Sequence, residues 1–289
     1  MILEQVTILN NFSAGSAMAL FDGSLYLAGD NMGHVLVLND NFEQTNAIPL
    51  IQMSQRPIPK ATKPDIEAAV VVHHDGSDKL LFIGSGSHSP YRGNAWLIAP
   101  DGKKALIDLS TFYNRLKALG LQELNIEGAA AIPGHMLLSN RGNKSNPQNQ
   151  LIITSPHFWV EQATAAIDIR RLGPPQGAAS FSGVSGMDYS ALSDSLLLTV
   201  STEDTSDTYT DGAIGKSYLW IVNNISGYNE NTPILPHRII DLEAEDNQFK
   251  GQKIETVCIL HETSTEMTLA LAADNDTHHT VLFKVLLHL

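Results

Sequence analysis

The sequence holds one cysteine, Cys258, in 289 residues, so no disulfide can form within the chain. A reducing, cytoplasmic setting is the expectation. Cys258 sits inside the apolar run IETVCIL and reads as a buried small hydrophobe, not a nucleophile. No run of 18 apolar residues occurs, which excludes a membrane-spanning helix. Basic residues are scarce, 18 Lys and Arg against 31 Asp and Glu, for a net charge of −13. No basic cluster is available to hold a phosphate backbone, so no nucleic acid partner is expected. The N-terminus, MILEQVTILNNFSAG, has Glu4 where a secretory leader carries Lys or Arg, and it reads as a strand.

What the chain has in quantity is repetition, at intervals of about 50 to 70 residues. Five stretches share one plan: GSAMALFDGSLYLAGDN from Gly15, IEAAVVVHHDGSDKLLFIGSGS from Ile66, LNIEGAAAIPGHMLLSNRGN from Leu124, VSGMDYSALSDSLLLTVSTED from Val184 and IETVCILHETSTEMTLALAADND from Ile254. Each has a key residue, an apolar run, a turn, a second apolar run and a polar patch. Third runs follow as HVLVLN, AWLIAP, QLIITS, YLWIVN and TVLFKVLL. Four copies add a fourth run, and EQVTILN at the N-terminus can supply the one that the last copy lacks. The runs are short and rich in β-branched residues, and Asp-Gly turns bound two of them, so strands are predicted. One helix is expected over Ser110 to Gly120.

Twenty short strands in five units predict an all-β fold, a five-bladed β-propeller of four-stranded antiparallel blades. The expected single domain covers 1–289, with blades at about 13–51, 64–110, 124–172, 182–243 and 252–289 and the N-terminal strand 3–10 closing the ring. A pair of β-sandwiches or a six-bladed ring with one degenerate blade are the alternatives.

The key residues are Ser16, Glu67, Glu127, Ser185 and Glu255. In a propeller the first strand of each blade lines the channel, so all five would ring one mouth. Three carboxylates so placed would repel unless a proton or cation intervenes. Their oxygen-only donor set favours Ca²⁺, or another hard divalent cation, over zinc. The plain alternative is that the glutamates pair with arginine or cap backbone amides.

The patches that end the second strands fall over the same mouth. They offer Asp30, Arg92, Arg141, Glu203 and Lys216, with His88, Asp204, Asp211 and Asp274 beside them. Such a mixture around a cation suits a small anionic ligand, although Asp, Asn and Gly are also what turns prefer. Runs at the other face, such as APDGKK and SPHFWVEQ, show no comparable concentration.

The order Ser, Glu, Glu, Ser, Glu over five blades resembles the calcium-activated nucleotidases, apyrases of the five-bladed propeller type. SAMALFDGSLYLAGDNMGHV carries the likeness best. It implies a metal site that includes Ser16, an essential aspartate at Asp30, a phosphate-side arginine at Arg141 and an acidic ending at Glu203. The stretch GSGSHSPYRGN of the second blade departs from that pattern. The chain also looks like a bacterial propeller family with no assigned function.

Three function classes follow. The first is a calcium-dependent hydrolase, with Asp30 activating water and Arg141, Arg92 and Lys216 neutralising the substrate. The second is a non-catalytic binding propeller with a structural metal. The third is a glycosidase-like use of paired carboxylates, disfavoured because Trp96 and Trp220 fall in strands and Trp159 at the far face. A monomer is expected, since no long amphipathic helix offers a dimer face.

Overall fold

The computed structural model describes residues 1–52, 57–88, 90–121, 123–177, 181–203, 214–228, 232–275 and 278–289, with the side chain of residue 203 left out. Blade one comprises β2 (Gly15–Phe21), β3 (Ser24–Gly29), β4 (His34–Leu38) and β5 (Gln44–Pro49), following the strand β1 (Ile2–Leu9). Blade two is β6 (Ile66–His74), β7 (Ser77–Gly84), β8 (Asn94–Ile98) and β9 (Lys104–Asp108). Blade three is β10 (Ile126–Ile132), β11 (His135–Asn140), β12 (Asn149–Thr154) and β13 (Ile167–Leu172). Blade four is β14 (Ser182–Ser190), β15 (Ser195–Glu203), β16 (Ile214–Asn223) and β17 (Arg238–Asp241). Blade five is β18 (Ile254–Glu262), β19 (Glu266–Asp274) and β20 (Thr280–His288), completed by β1 (Ile2–Leu9). Within the blades all strand pairings are antiparallel, and this is the five-bladed propeller that the repeats predict.

Local chemistry explains the hairpins. Asp22-Gly23 and Asp75-Gly76 each place two successive residues at positive φ, the backbone twist that matches a two-residue hairpin. In blade three, Pro133 precedes Gly134 at φ 80, the Pro-Gly order of a type II turn.

The side-chain period of a strand explains the rest. Ala68, Val70 and Val72 of β6 enter a core shared with blade three, while Ala69 and Val71 enter one shared with blade one. The same division holds round the ring, and five apolar cores fill the five seams between neighbouring blades. Strands buried on both faces read as continuous apolar runs, not alternating ones. The innermost strands β2, β6, β10, β14 and β18 are each next to the following one, and β18 returns to β2.

The expected helix is present as α1 (Ser110–Ala118), which buries Phe112, Tyr113 and Leu116 beside the seam of blades two and three. Tyr113 donates its hydroxyl to the Gly84 carbonyl at 2.6 Å. Cys258 is 2% exposed and lies in the core between blades five and one. Among the described residues no helix is long and apolar enough to cross a membrane.

Closure rests on β1, which pairs with β20 from Ile2 opposite Leu286 to Leu9 opposite Thr280. A chain lacking residues 1–10 should lose cooperative unfolding and regain it when a peptide of that sequence is added in trans. Sharp unfolding of the truncated chain without the peptide, followed by circular dichroism, would refute that role.

Candidate functional site

Each innermost strand carries a β-bulge in its first half, and the bulged residue is the key residue of its repeat. The ladder skips Ser16 between Gly15 and Ala17, and Glu67 between Ile66 and Ala68. It likewise skips Glu127, Ser185 and Glu255. A bulge adds one unpaired residue and turns its side chain out of the regular alternation. Five bulges at equivalent points therefore direct five side chains toward one end of the ring.

Those side chains then part company. Ser16 donates its hydroxyl to the Ile66 carbonyl at 2.5 Å, and Ser185 donates to the Ile254 carbonyl at 2.6 Å. Each serine thus reaches the carbonyl just before the next blade's glutamate and satisfies an acceptor on the open inner edge of that strand. Glu127 accepts from Arg141 at 3.0 Å and from the Asn125 amide. Glu255 meets Lys253 at 2.8 Å and lies 3.8 Å from the same Arg141. The room for Arg141 comes from blade four, where a Cβ on Gly183 would stand 2.3 Å from the guanidinium Nε.

Glu67 is the exception. Among the described residues it has no hydrogen bond or ion pair, and its nearest acidic neighbours are Asp30 and Asp65, the three carboxylates having oxygens within 4.8 Å of one another. Lys63 bridges Asp30 and Asp65, at 2.8 Å from the latter. Asp65 also takes Arg92 at 2.9 Å and the Ser85 hydroxyl. It is held at φ 54, a backbone region that aspartate tolerates better than most residues. Asp30 directs one carboxylate oxygen at Lys63, while its Oδ1 is buried without a partner.

The titration behaviour follows from burial. Desolvation pushes Glu67 well above the ordinary carboxylate range, and Asp65, Asp30 and Glu127 push the same way. Glu127 is pushed up to about 7, first by burial and then by Glu255, against the pull of Arg141 and Lys253. Burial and the Asp65 charge raise Asp30 in spite of Lys63. Burial would raise Asp65 too, but Lys63 and Arg92 outweigh it and hold it low. Burial alone would lower Lys63, yet Asp30, Asp65 and Glu67 hold its proton more firmly than usual.

Of the residues that the sequence singled out, the fold gathers Glu67, Glu127, Glu255, Asp30 and Arg141 into this network, whereas Ser16 and Ser185 are engaged by backbone carbonyls. Arg92 belongs to it as the buried partner of Asp65, 4% exposed, not as a group facing the channel. Lys216 lies elsewhere: it is exposed and pairs at 2.6 Å with Asp241 on the outer strand β17. Glu203 ends β15, but its side chain, like Asp204 and Asp211 as a whole, lies outside the described residues. Lys63, Asp65, Asn125 and Lys253 were not foreseen. Three of them share a signal, the position two before the key glutamate, in Asp65-Ile66-Glu67, Asn125-Ile126-Glu127 and Lys253-Ile254-Glu255; Lys63 stands outside it.

The backbone has distant counterparts among solved structures. Glutaminyl cyclase from Myxococcus xanthus superposes with a TM-score of 0.53 at 10% identity, over 99% of this chain and 96% of that one. Virginiamycin B lyase from Staphylococcus aureus gives 0.42 at 12% identity, over 97% and 98%. At 10% identity the likeness to the cyclase is one of fold alone. No curated protein sequence matches the chain significantly. The expected kinship to a propeller family without an assigned function does find support, because residues 11–287 match one profile along their length, and the chain belongs to the family of unknown function DUF6929.

Proposed function

We propose that this chain is a calcium-dependent hydrolase of phosphorylated or other anionic small molecules, acting at the mouth ringed by the five bulges. One observation carries the reading: a three-carboxylate cluster with an unpartnered buried oxygen on Asp30 and an uncommitted Glu67. Donors that are all carboxylate oxygens suit a hard cation such as calcium. Asp30, Asp65 and Glu67 would hold it. Bound there, it would supply positive charge to polarise ligand oxygens.

The chain's own residues account for the selectivity. The linked network sets Asp30, Asp65, Glu67, Glu127 and Glu255 against Lys63, Arg92, Arg141 and Lys253. Fully ionised, it has one negative charge in excess and repels an anion. Once that excess is compensated, Lys63 and Arg141 are the donors best placed for anionic oxygens. Glu127, titrating near neutrality, is suited to pass a proton to a leaving oxygen or accept one from water. The likeness of the first blade to the nucleotidases favours phosphate esters among the anions.

Chelator-stripped protein should bind calcium with a dissociation constant of about 10⁻⁷–10⁻⁵ M, and its melting temperature should rise accordingly. Both effects should disappear in Glu67→Gln; calcium binding unchanged by that substitution, read by calorimetry, refutes the cluster. Phosphate release from nucleoside di- and triphosphates should require calcium. Absence of release from these and from a panel of other phosphoesters would leave the hydrolase reading without support.

The pH dependence of stability is a third check. Glu127 is raised from 4.5 to about 7 in the folded chain, so between those values the folded state binds a proton that the unfolded state has released. The stability from this group is fully present below 4.5 and is lost as pH rises through about 7. Urea titrations in chelator should show that segment flattened in Glu127→Gln, and an unaltered slope would contradict the assignment.

A further inference from the structure

The opposite end of the channel is built on different chemistry. Three residues along the innermost strands from the bulges, about 10 Å at strand rise, the ring opens into a cavity of about 470 Å³, a size common for small-molecule sites. Its lining is mixed: Leu20, Val70, Val71, Ala131 and Leu260, from four blades, are aliphatic, and Tyr189 and His261 stand among them. Two carboxylates enter it, Asp188 from β14 and Glu262 from β18. Asp188 Oδ1 accepts the Tyr189 amide at 2.8 Å, and Oδ2 accepts the Ile259 amide of the next blade at 2.7 Å. Each oxygen keeps further acceptor capacity. Glu262 accepts the Ser190 hydroxyl.

Neither carboxylate has a lysine, arginine or histidine ion-pair partner among the described residues. Burial pushes Asp188 up to about 6, and the Glu262 charge adds to the rise. Capping the Ile259 amide does not by itself call for a charge, since a serine or asparagine oxygen accepts equally well. The matching positions of the other blades are Ala19, Val70, Ala130 and Cys258, none of them a carboxylate. So the carboxylate stands among aliphatic side chains, beside a second carboxylate, and His261 is the one basic side chain among the described residues that line the cavity, without an ion pair to either carboxylate.

We propose that this cavity binds a small organic cation, a primary aliphatic ammonium whose charged head meets Asp188 and Glu262 while its hydrocarbon body lies along the aliphatic side chains of Leu20, Val70, Val71 and Leu260. The head would supply the missing counter-charge and hydrogen-bond donors, and the body would bury surface at the wall. A metal ion is less suited. The cluster with three ligating groups in mutual reach is at the other mouth, and backbone amides already occupy part of both Asp188 oxygens. An anion meets the wrong sign.

Calorimetric titration of the whole chain with n-hexylammonium, hexanol and hexanoate, in chelator at neutral pH, tests this. Hexylammonium should saturate, hexanol should bind at least about tenfold more weakly, and hexanoate should not bind. Asp188→Asn should weaken hexylammonium at least about tenfold, and Ala131→Phe, at the exposed rim, should block it. Hexanol binding as tightly as hexylammonium, affinity unchanged in Asp188→Asn, or no saturation at all would overturn the proposal. Should Asp188→Asn fail to fold, Glu262→Gln decides: weakened hexylammonium with unaltered hexanol supports the site, and equal affinity overturns it.

Discussion

The hydrogen-bond ladder between β1 and β20 draws residues from the two extremes of the sequence into one sheet, and the common axis of the five blades follows from it. Without that closure β18 and β2 would have no reason to adjoin, and the bulged residues would be five unrelated side chains. With it, β18 packs beside β2. The seam is also fixed from within, since the Gly15 amide donates to the Thr280 hydroxyl at 2.9 Å. Gly15 leaves space for that threonine, whose Cγ2 a Cβ would meet at 2.6 Å.

Closure has an electrostatic cost. Burying carboxylates in company is unfavourable unless each finds a partner. The ring meets the demand unevenly. Arg141 holds Glu127 and reaches toward Glu255, and Lys253 completes the latter. Lys63 and Arg92 hold Asp65. Glu67 and one oxygen of Asp30 are left over. Pairing that serves folding alone would have no use for such a remainder, so the residue worth attention is the one with which no cation forms an ion pair among the described residues.

Much of the fold was legible because the inner strands of each blade are apolar on both faces, which makes their runs stand out against polar turns. Hairpin turns such as Asp22-Gly23 announced themselves through residues that accept positive φ. The bulged positions were legible as a repeated key residue, although nothing in one sequence says that the ladder skips them. Partner choice was not legible. That Arg141 turns inward depends on a missing side chain at Gly183, in another blade, while Lys216 turns outward because Asp241 waits on the adjacent strand. Asp188 was overlooked for a different reason: attention to the loops of the far face passed over a carboxylate within a strand.

The ladder that closes the wheel has a mechanical corollary. Because β1 and β20 run antiparallel with Ile2 opposite Leu286, residues near the two ends of the chain lie at the same extremity of that ladder. A load applied between them would not shear its hydrogen bonds together but part them one after another, as a zipper opens. A wheel held by five packed seams against heat would thus yield readily to traction at one point.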